Sequence, residues 1–299
     1  MELRTLQYFL AVAREQSISS AAQSLHLSQP TISIQLKSLE QELGCQLLVR
    51  GTKGSRKVTL TEEGMLLRKR AQEILDLVHK TELEIELSAD TVAGDLYIGA
   101  GETELVRIVA RAARALLDTC PDLHYHLFSG NAFSVWEKLD GGLLDFGIVY
   151  GAVDSARYNA LRLPVFDTWG VLMRKDAPLA RKEQITPEDL YGVPLILSEQ
   201  ESQSSDLVRW FQCDPARLQV IATYNLIFNA SLLVDEGLGY AVTLDKLINT
   251  TGESPLCFRP LLPRLEAPAH FVWKKYQVLS KAGERFLQQV RALLAAPAP

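Results

Sequence analysis

The 299-residue sequence has few of the features that identify a secreted, a membrane or a zinc protein. Its four cysteines, Cys45, Cys120, Cys213 and Cys257, are far apart and form no CxxC pair. We therefore expect reduced thiols, neither a disulfide framework nor a zinc site, with a redox-sensing cysteine as the alternative. No run of 18 or more apolar residues occurs, so no membrane span is expected.

Catalytic and targeting motifs are also scarce. The sequence has no GxSxG, P-loop or HExxH motif, and the GAGETE segment at 99–104 lacks the third glycine of a dinucleotide loop. His124 and His126 alternate along one predicted strand without further metal ligands nearby. An enzyme is therefore the weaker interpretation, and we expect no cofactor and no metal. The N-terminus lacks the layout of a signal peptide, so a cytoplasmic protein is expected.

The net charge of −5 is unevenly distributed along the chain. Residues 1–57 contain seven basic and four acidic side chains and carry +3, which leaves −8 for the remainder. Such asymmetry favours an N-terminal module that binds a polyanion.

Three zones follow one another along the sequence. Short helical segments broken by Ser, Pro and Gly give way to one long helical pattern, and then to apolar strand-like runs that alternate with helices. This alternation predicts βαβ units in an α/β fold of two lobes. The predicted zones are 1–59, 60–90 and 93–299, with one lobe at about 93–162 and 267–299 and the other at about 163–266.

The strongest local signal is a pair of short helices in residues 18–44. Ser19 is a plausible N-cap for the first helix, and Ser28 for the second, where Pro30 lies in the first turn. One face of the second helix is an apolar stripe, which comprises Ile32, Leu36, Leu39 and Leu43.

The opposite face of that second helix is polar apart from Ile34. Its short hydroxyl and amide side chains suit base edges and phosphates, although a solvated face in another helical domain would have the same pattern. Residues 47–60 then predict two strands joined by a basic turn, which favours the DNA-binding interpretation. The turn and its flanks contain Arg50, Lys53, Arg56 and Lys57 and no acid.

The N-terminal zone resembles the LysR-type transcriptional regulators. The matching residues, in order, are Leu6, Phe9, Ser17, Ala21, Ala22, Ser28, Gln29, Pro30, Ser33, Leu39, Glu40, Leu43, Gly44, Leu60, Thr61, Glu62 and Gly64. The resemblance implies a winged helix-turn-helix. It assigns to the DNA interface Ser28, Gln29, Pro30, Thr31, Ser33, Ile34, Lys37, Arg50, Lys53 and Arg56. Ile34 departs from the family, where this position is often polar, and either contacts a thymine methyl or lowers affinity.

The long helix carries a heptad-like apolar seam. An isolated helix of this length is unstable, so the seam packs against its own chain or against a second copy. The family resemblance implies a homodimer, and beyond it a homotetramer, that reads an interrupted palindromic operator on double-stranded DNA, with RNA polymerase as a further partner. The seam consists of Leu67, Ala71, Ile74, Val78, Thr81 and Ile85.

Residues 93–299 resemble the family's effector domain, in which two lobes of periplasmic-binding-protein type enclose a small-molecule effector. The segments at 143–148 and 235–240 carry this part of the resemblance. Independently, ligands of open α/β sheets bind outside the carboxyl ends of the strands. Together these arguments nominate Gly101, Glu102, Thr103, Phe128, Asn131, Tyr150, Ser198, Gln200, Asn225 and Phe228.

The charge preference of this predicted site is open. A helix that begins near Glu102 would offer free N–H groups to a ligand carboxylate. Glu102 and Glu104 either satisfy the dipole of that helix or disfavour anionic effectors, which leaves a polar or cationic one. A solute-binding protein would account for residues 93–299 but not for residues 1–60.

Overall fold

The computed structural model describes residues 1–50, 57–86, 92–199, 205–212 and 217–295. The chain divides into two units, residues 1–87 and 88–299, each of which has hydrophobic cores of its own. Of the helices in the described ranges, none combines the length and the apolar character needed to cross a bilayer.

The N-terminal unit is a helix-turn-helix with a two-stranded wing. The strands are antiparallel, with Leu48 opposite Leu60, and the long last helix packs against the first. The elements are α1 (Leu3–Glu15), α2 (Ile18–Ser24), α3 (Gln29–Leu43), β1 (Leu48–Arg50), β2 (Val58–Leu60) and α4 (Glu62–Glu86).

Side-chain caps set the starts of the two short helices. Ser28 caps α3 as predicted, because its Oγ accepts a hydrogen bond from the Thr31 N–H at 3.3 Å. The cap of α2 is Ser17 and not Ser19, since α2 begins one residue earlier than Ser19 and the Ser20 N–H donates to Ser17. The buried stripe of α3 ends at Leu39, because the helix terminates at Leu43, which is exposed.

Lobe I is built on a five-stranded mixed sheet in the order β4-β3-β5-β13-β6. β3, β4 and β5 are parallel, whereas β13 is antiparallel to both of its neighbours. The elements are β3 (Gly94–Ala100), α5 (Val106–Leu116), β4 (Leu123–Ser129), α6 (Ala132–Asp140), β5 (Phe146–Tyr150), β6 (Tyr158–Arg162), β13 (Ala269–Lys274) and α9 (Lys281–Ala295).

Lobe II is built on a second mixed sheet in the order β11-β7-β10-β8-β9, with β12 paired to β7. Its parallel strands are β8, β9 and β10. The elements are β7 (Asp167–Arg174), β8 (Pro194–Ser198), α7 (Ser205–Phe211), β9 (Gln219–Tyr224), α8 (Ile227–Asp235), β10 (Tyr240–Leu244), β11 (Leu256–Pro260) and β12 (Glu266–Ala267). The chain passes between the lobes twice, from β6 to β7 and from β12 to β13.

Candidate DNA-binding surface and effector cleft

The predicted DNA-reading residues of α3 share one accessible surface. Ser28, Gln29, Pro30, Thr31 and Lys37 are exposed. Ser33 is half-buried, and the departing residue Ile34 is 66% exposed. A polar helix face with one free aliphatic side chain can contact phosphates, base edges and a thymine methyl.

The predicted wing contacts fall largely outside what the structure describes. Arg50 ends β1, but its side chain lies outside the described residues, as do the whole of Lys53 and the whole of Arg56. Their assignment to DNA remains a prediction.

Glu40 fixes the base of the wing to α3. One of its carboxylate oxygens accepts hydrogen bonds from the N–H groups of Leu47, at 2.8 Å, and Leu48, at 3.1 Å. These N–H groups lie where the chain enters the wing. Glu40 therefore positions β1 relative to α3. Its role is therefore structural, which explains an acid so close to a DNA-binding surface.

Thr61 and Gly64 join the wing to the long helix. Thr61 Oγ1 donates to the Gln46 carbonyl at 2.7 Å and accepts from the Gly64 N–H at 3.0 Å, which caps α4. A Cβ at position 64 would lie 2.2 Å from the carbonyl oxygen of Leu47. The Thr61-Glu62-x-Gly64 motif thus allows α4 to lie close to the backbone that precedes β1.

The seam of α4 is only partly covered within one chain. Leu67 packs against the core of the N-terminal unit and Ala71 is fully buried, as the own-chain alternative predicts. Farther along, Ile85 is 77% exposed, and Leu66 and Leu77 are exposed on another face of the helix.

The carboxyl ends of strands from both lobes meet at a narrow cleft of about 90 Å³. Six of the ten predicted effector residues line it, namely Gly101, Glu102, Asn131, Tyr150, Ser198 and Asn225. The sequence reasoning did not select the other side chains that shape its walls, which are Ala132, Ile148, Val149, Trp169, Tyr224, Leu226, Ile227, Thr243, Leu244 and Leu247. The direction in which these side chains point depends on how the sheets pack, so the sequence pattern alone does not reveal it.

Glu102 spans the cleft. The N–H of Ile227, the first residue of α8 in lobe II, donates to the carboxylate of Glu102 in lobe I. Glu104 instead pairs with Arg107 on its own side. An acidic group therefore occupies the positive end of α8, where an effector anion would otherwise be stabilised.

The predicted anion site near Glu102 rests on a helix start that the structure places farther along the chain. α5 begins at Val106 rather than near Glu102, and the preceding turn uses its own donors. The Leu105 N–H donates to Thr103 Oγ1 at 3.0 Å, and the Val106 N–H donates to the Thr103 carbonyl. These N–H groups are consequently not available to a ligand.

Behind the cleft wall, a buried carboxylate joins the lobes. Asp167, the first residue of β7, is fully buried, and its Oδ2 accepts from Thr103 Oγ1 at 2.6 Å and from the Tyr150 hydroxyl at 2.5 Å. Burial, followed by the charge of Asp167, raises the pKa of Tyr150, so this phenol stays protonated and donates. Asp167 Oδ1 has no hydrogen-bond partner among the described residues.

Asp167 was not among the sequence candidates, although a signal was present. An acid within the apolar run of residues 165–173 is unusual for a buried strand and indicates a satisfied polar network. Thr103, which was nominated as a ligand contact, belongs to this network and does not line the cleft.

The remaining nominated residues lie away from the cleft. Phe128 turns toward α6, where Lys138 Nζ lies 4.8 Å from the centre of its ring, because alternation along β4 points it to that face. Phe228, in the first turn of α8, is 62% exposed and absent from the cleft wall. Gln200 lies outside the described residues.

Comparison with known proteins agrees with this division of the chain. Residues 3–65 match the model of the bacterial regulatory helix-turn-helix proteins of the lysR family, and residues 89–295 match that of the LysR substrate binding domain.

Individual relatives are similar over about two thirds of the chain. The DNA-binding transcriptional dual regulator OxyR of Escherichia coli is 34% identical over 200 residues, which cover 67% of this chain and 64% of OxyR. The HTH-type transcriptional regulator BsdA of Bacillus subtilis is 33% identical over 198 residues, which cover 66% and 67% of the two chains. The match thus spans less than two thirds of OxyR.

A solved structure extends the likeness of fold to nearly the whole chain. Full-length CbnR, determined in complex with its target DNA, superposes with a TM-score of 0.74 at 22% identity, over 98% of this chain and 99% of CbnR. With a family model matched over residues 89–295 and a second over 3–65, the chain belongs to the LysR family of bacterial transcriptional regulators.

Proposed function

We propose that the protein is a sequence-specific DNA-binding regulator whose activity responds to a small molecule bound between lobes I and II. The observation that carries the proposal is the accessible polar face of α3, which follows a Ser28-capped N-terminus within a helix-turn-helix. Such a helix fits the major groove with its N-terminal residues toward the bases. Regulators of this kind act in the cytoplasm, where the chromosome lies.

The DNA-binding half is tested with the duplex upstream of the gene. We expect Gln29→Ala and Ser33→Ala each to weaken specific binding roughly ten-fold, because each removes a polar contact to a base edge. Gln288→Ala, at an exposed position of α9 in the C-terminal unit, is the matched control and should leave affinity unchanged. Fluorescence anisotropy against random duplex measures both. Equal affinity for specific and random DNA would contradict the proposal.

For the effector, the cleft favours a neutral polar or cationic molecule. Glu102 is the one charged side chain among the described residues that line it, and it already occupies the end of α8. The aromatic walls, Tyr150, Trp169 and Tyr224, suit an organic cation or a flat polar molecule. A volume of about 90 Å³ is below the usual size of a ligand site, so binding requires the lobes to separate.

A redox-sensing thiol, the alternative raised by the four cysteines, has limited support in the described residues. Cys45 is half-buried, whereas Cys120 and Cys257 are buried. Burial raises the pKa of the Cys257 thiol, which suppresses the reactive thiolate. Cys213 lies outside the described residues. We therefore propose a reversibly bound effector rather than a redox-sensing thiol.

We further propose that the active form is a homodimer, and in its larger form a homotetramer, that reads a two-fold operator. The support is the uncovered apolar surface of α4, with Leu66 and Leu77 three helical turns apart on one face. In the C-terminal unit, the edge strands β4 and β9 expose Leu127, Val220 and Ile221, which offers a second surface. The described surfaces identify no contact with RNA polymerase.

The dimer is tested on the full chain by sedimentation velocity. We expect Leu77→Glu and Ile85→Glu to shift the protein toward monomer at micromolar concentration, because each places a charge in an apolar contact. Gln72→Glu adds the same charge at a polar, exposed position of α4 and should leave the dimer intact. A wild-type protein that sediments as a monomer would rule out this part of the proposal.

A further inference from the structure

A cavity larger than the cleft between the lobes lies within lobe II. Its volume is about 520 Å³, within the range of small-molecule sites, whereas the cleft has about 90 Å³. The pocket lies on the face of the sheet formed by β7, β10 and β11, beneath the segment of residues 245–250. We call it the lobe II pocket.

One side of the lobe II pocket is apolar. Leu172 of β7 and Phe258 of β11 form its floor, and Leu247 and Ile248 form part of its cover. Phe258 lies flat on the sheet because residue 170 is a glycine: a Cβ there would lie 2.1 Å from the Phe258 ring. The floor is therefore a flat hydrophobic surface of the width of one ring.

The opposite side of the pocket is cationic and rich in donors. Among the described residues, Arg264 donates two of its five N–H groups, one to Thr168 Oγ1 at 3.1 Å and one to Glu266 at 3.2 Å. Within the same ranges, Lys246 donates one of its three, to Asp245 at 3.2 Å. Thr243, which also lines the pocket, is buried.

The carboxylate in the pocket is already paired. Asp245 is the one carboxylate among the described lining residues, and its Oδ1 accepts from the Thr168 N–H at 2.9 Å while its Oδ2 faces Lys246. Glu266 lies outside the lining and pairs with Arg264. Arg264 and Lys246 therefore retain N–H donors that an anionic acceptor would satisfy.

From this combination we infer that the lobe II pocket is a second ligand site, which binds a small aromatic or branched carboxylic acid. The ring or chain rests on Leu172 and Phe258, and the carboxylate lies between Arg264 and Lys246. The charge preference is the reverse of that of the cleft, where Glu102 is the charged group. Thr243, Leu244 and Leu247 line both cavities, so the two ligands share a wall.

The site is tested on the full-length protein by fluorine NMR with 4-fluorophenylacetate and its neutral analogue 4-fluorophenylacetamide. The acid should bind roughly ten-fold more tightly than the amide, because only the acid carries a negative charge that pairs with the cations of Arg264 and Lys246. Arg264→Gln and Lys246→Gln should each weaken binding of the acid roughly five-fold. Both positions are at the surface, and unchanged thermal midpoints would show that the variants fold.

Two control variants separate this site from non-specific attraction of the acid to surface cations and from binding in the cleft. Arg181→Gln removes an exposed cation of lobe II outside the pocket, and Glu102→Gln alters the cleft. Neither should change the affinity for the acid. Weaker binding in Arg181→Gln would indicate non-specific attraction to surface cations, and tighter binding in Glu102→Gln would place the acid in the cleft. Either result would overturn the inference. The inference is overturned if the acid binds no better than the amide, or if Arg264→Gln and Lys246→Gln leave its affinity unchanged. This inference does not depend on whether the protein binds DNA.

Discussion

Replacing Gly64 by alanine is expected to destabilise the N-terminal unit by about 3 kcal/mol and to abolish DNA binding at physiological temperature. The added Cβ would lie 2.2 Å from the carbonyl oxygen of Leu47 and 3.3 Å from the Cβ of Leu60. Neither neighbour can yield without moving β1 or β2 from α4. The hydrogen bond from the Gly64 N–H to Thr61 would be lost together with this packing.

Gly44→Ala is the matched comparison. Gly44 ends α3 with φ of +67°, but a Cβ there would have no heavy atom within 4 Å. Its cost is the strain of a left-handed residue alone, about 1 kcal/mol. Hydrogen exchange of peptides from α3 in the full-length protein measures both variants, and about 3 kcal/mol corresponds to roughly 100-fold faster exchange. Similar exchange in the two variants would refute the steric argument.

Replacing Asp167 by alanine is expected to cost the C-terminal unit about 3 kcal/mol. The carboxylate is fully buried and accepts hydrogen bonds from Thr103 and Tyr150. Its removal leaves the two hydroxyls without this acceptor and opens a cavity at the start of β7. We expect β5 and β7 to exchange amide hydrogens faster, and the two lobes to separate more readily.

Tyr150→Phe provides the smaller perturbation at the same place. It removes one donor to Asp167 but keeps the ring and the Thr103 hydrogen bond, so we expect about 1 kcal/mol. Differential scanning calorimetry and exchange of residues 146–150 and 167–174 report both variants. If Asp167→Ala were as mild as Tyr150→Phe, the network would not hold the lobes together.

The candidate sites were predictable to different degrees. On α3, sequence reasoning identified the surface residue by residue, because a helix face follows from spacing alone and Ser28 identifies its start. In the cleft, the rule that ligands bind at the ends of strands selected loops that do line a cavity, but it did not give the direction of each side chain. Phe128 lies within β4 and packs toward α6, and Phe228 lies in the first turn of α8 and is exposed, so neither lines the cleft.

Local sequence determined the helix-turn-helix, the long helix and the alternation of strands and helices in the C-terminal unit. The caps, the turn glycine and the apolar periods that specify these elements act over fewer than about five residues, so they can be recognised in the sequence alone. The motif at Thr61 and Gly64 was recognisable in the same way. The physical reason for the glycine, its close approach to the Leu47 carbonyl, could be seen only in the structure.

Only the tertiary structure decided the chemistry of the binding cavities. Three hydrogen bonds join residues that are far apart in the sequence. Glu102 and Ile227 are separated by 125 residues, Thr103 and Asp167 by 64, and Arg264 and Thr168 by 96. No periodicity relates such pairs, because their contact depends on where two sheets place the ends of their strands. The sequence therefore predicted a DNA-binding regulator with a sensor, whereas the folded lobes decided that the cleft carries its own carboxylate and that the cationic pocket lies beside it.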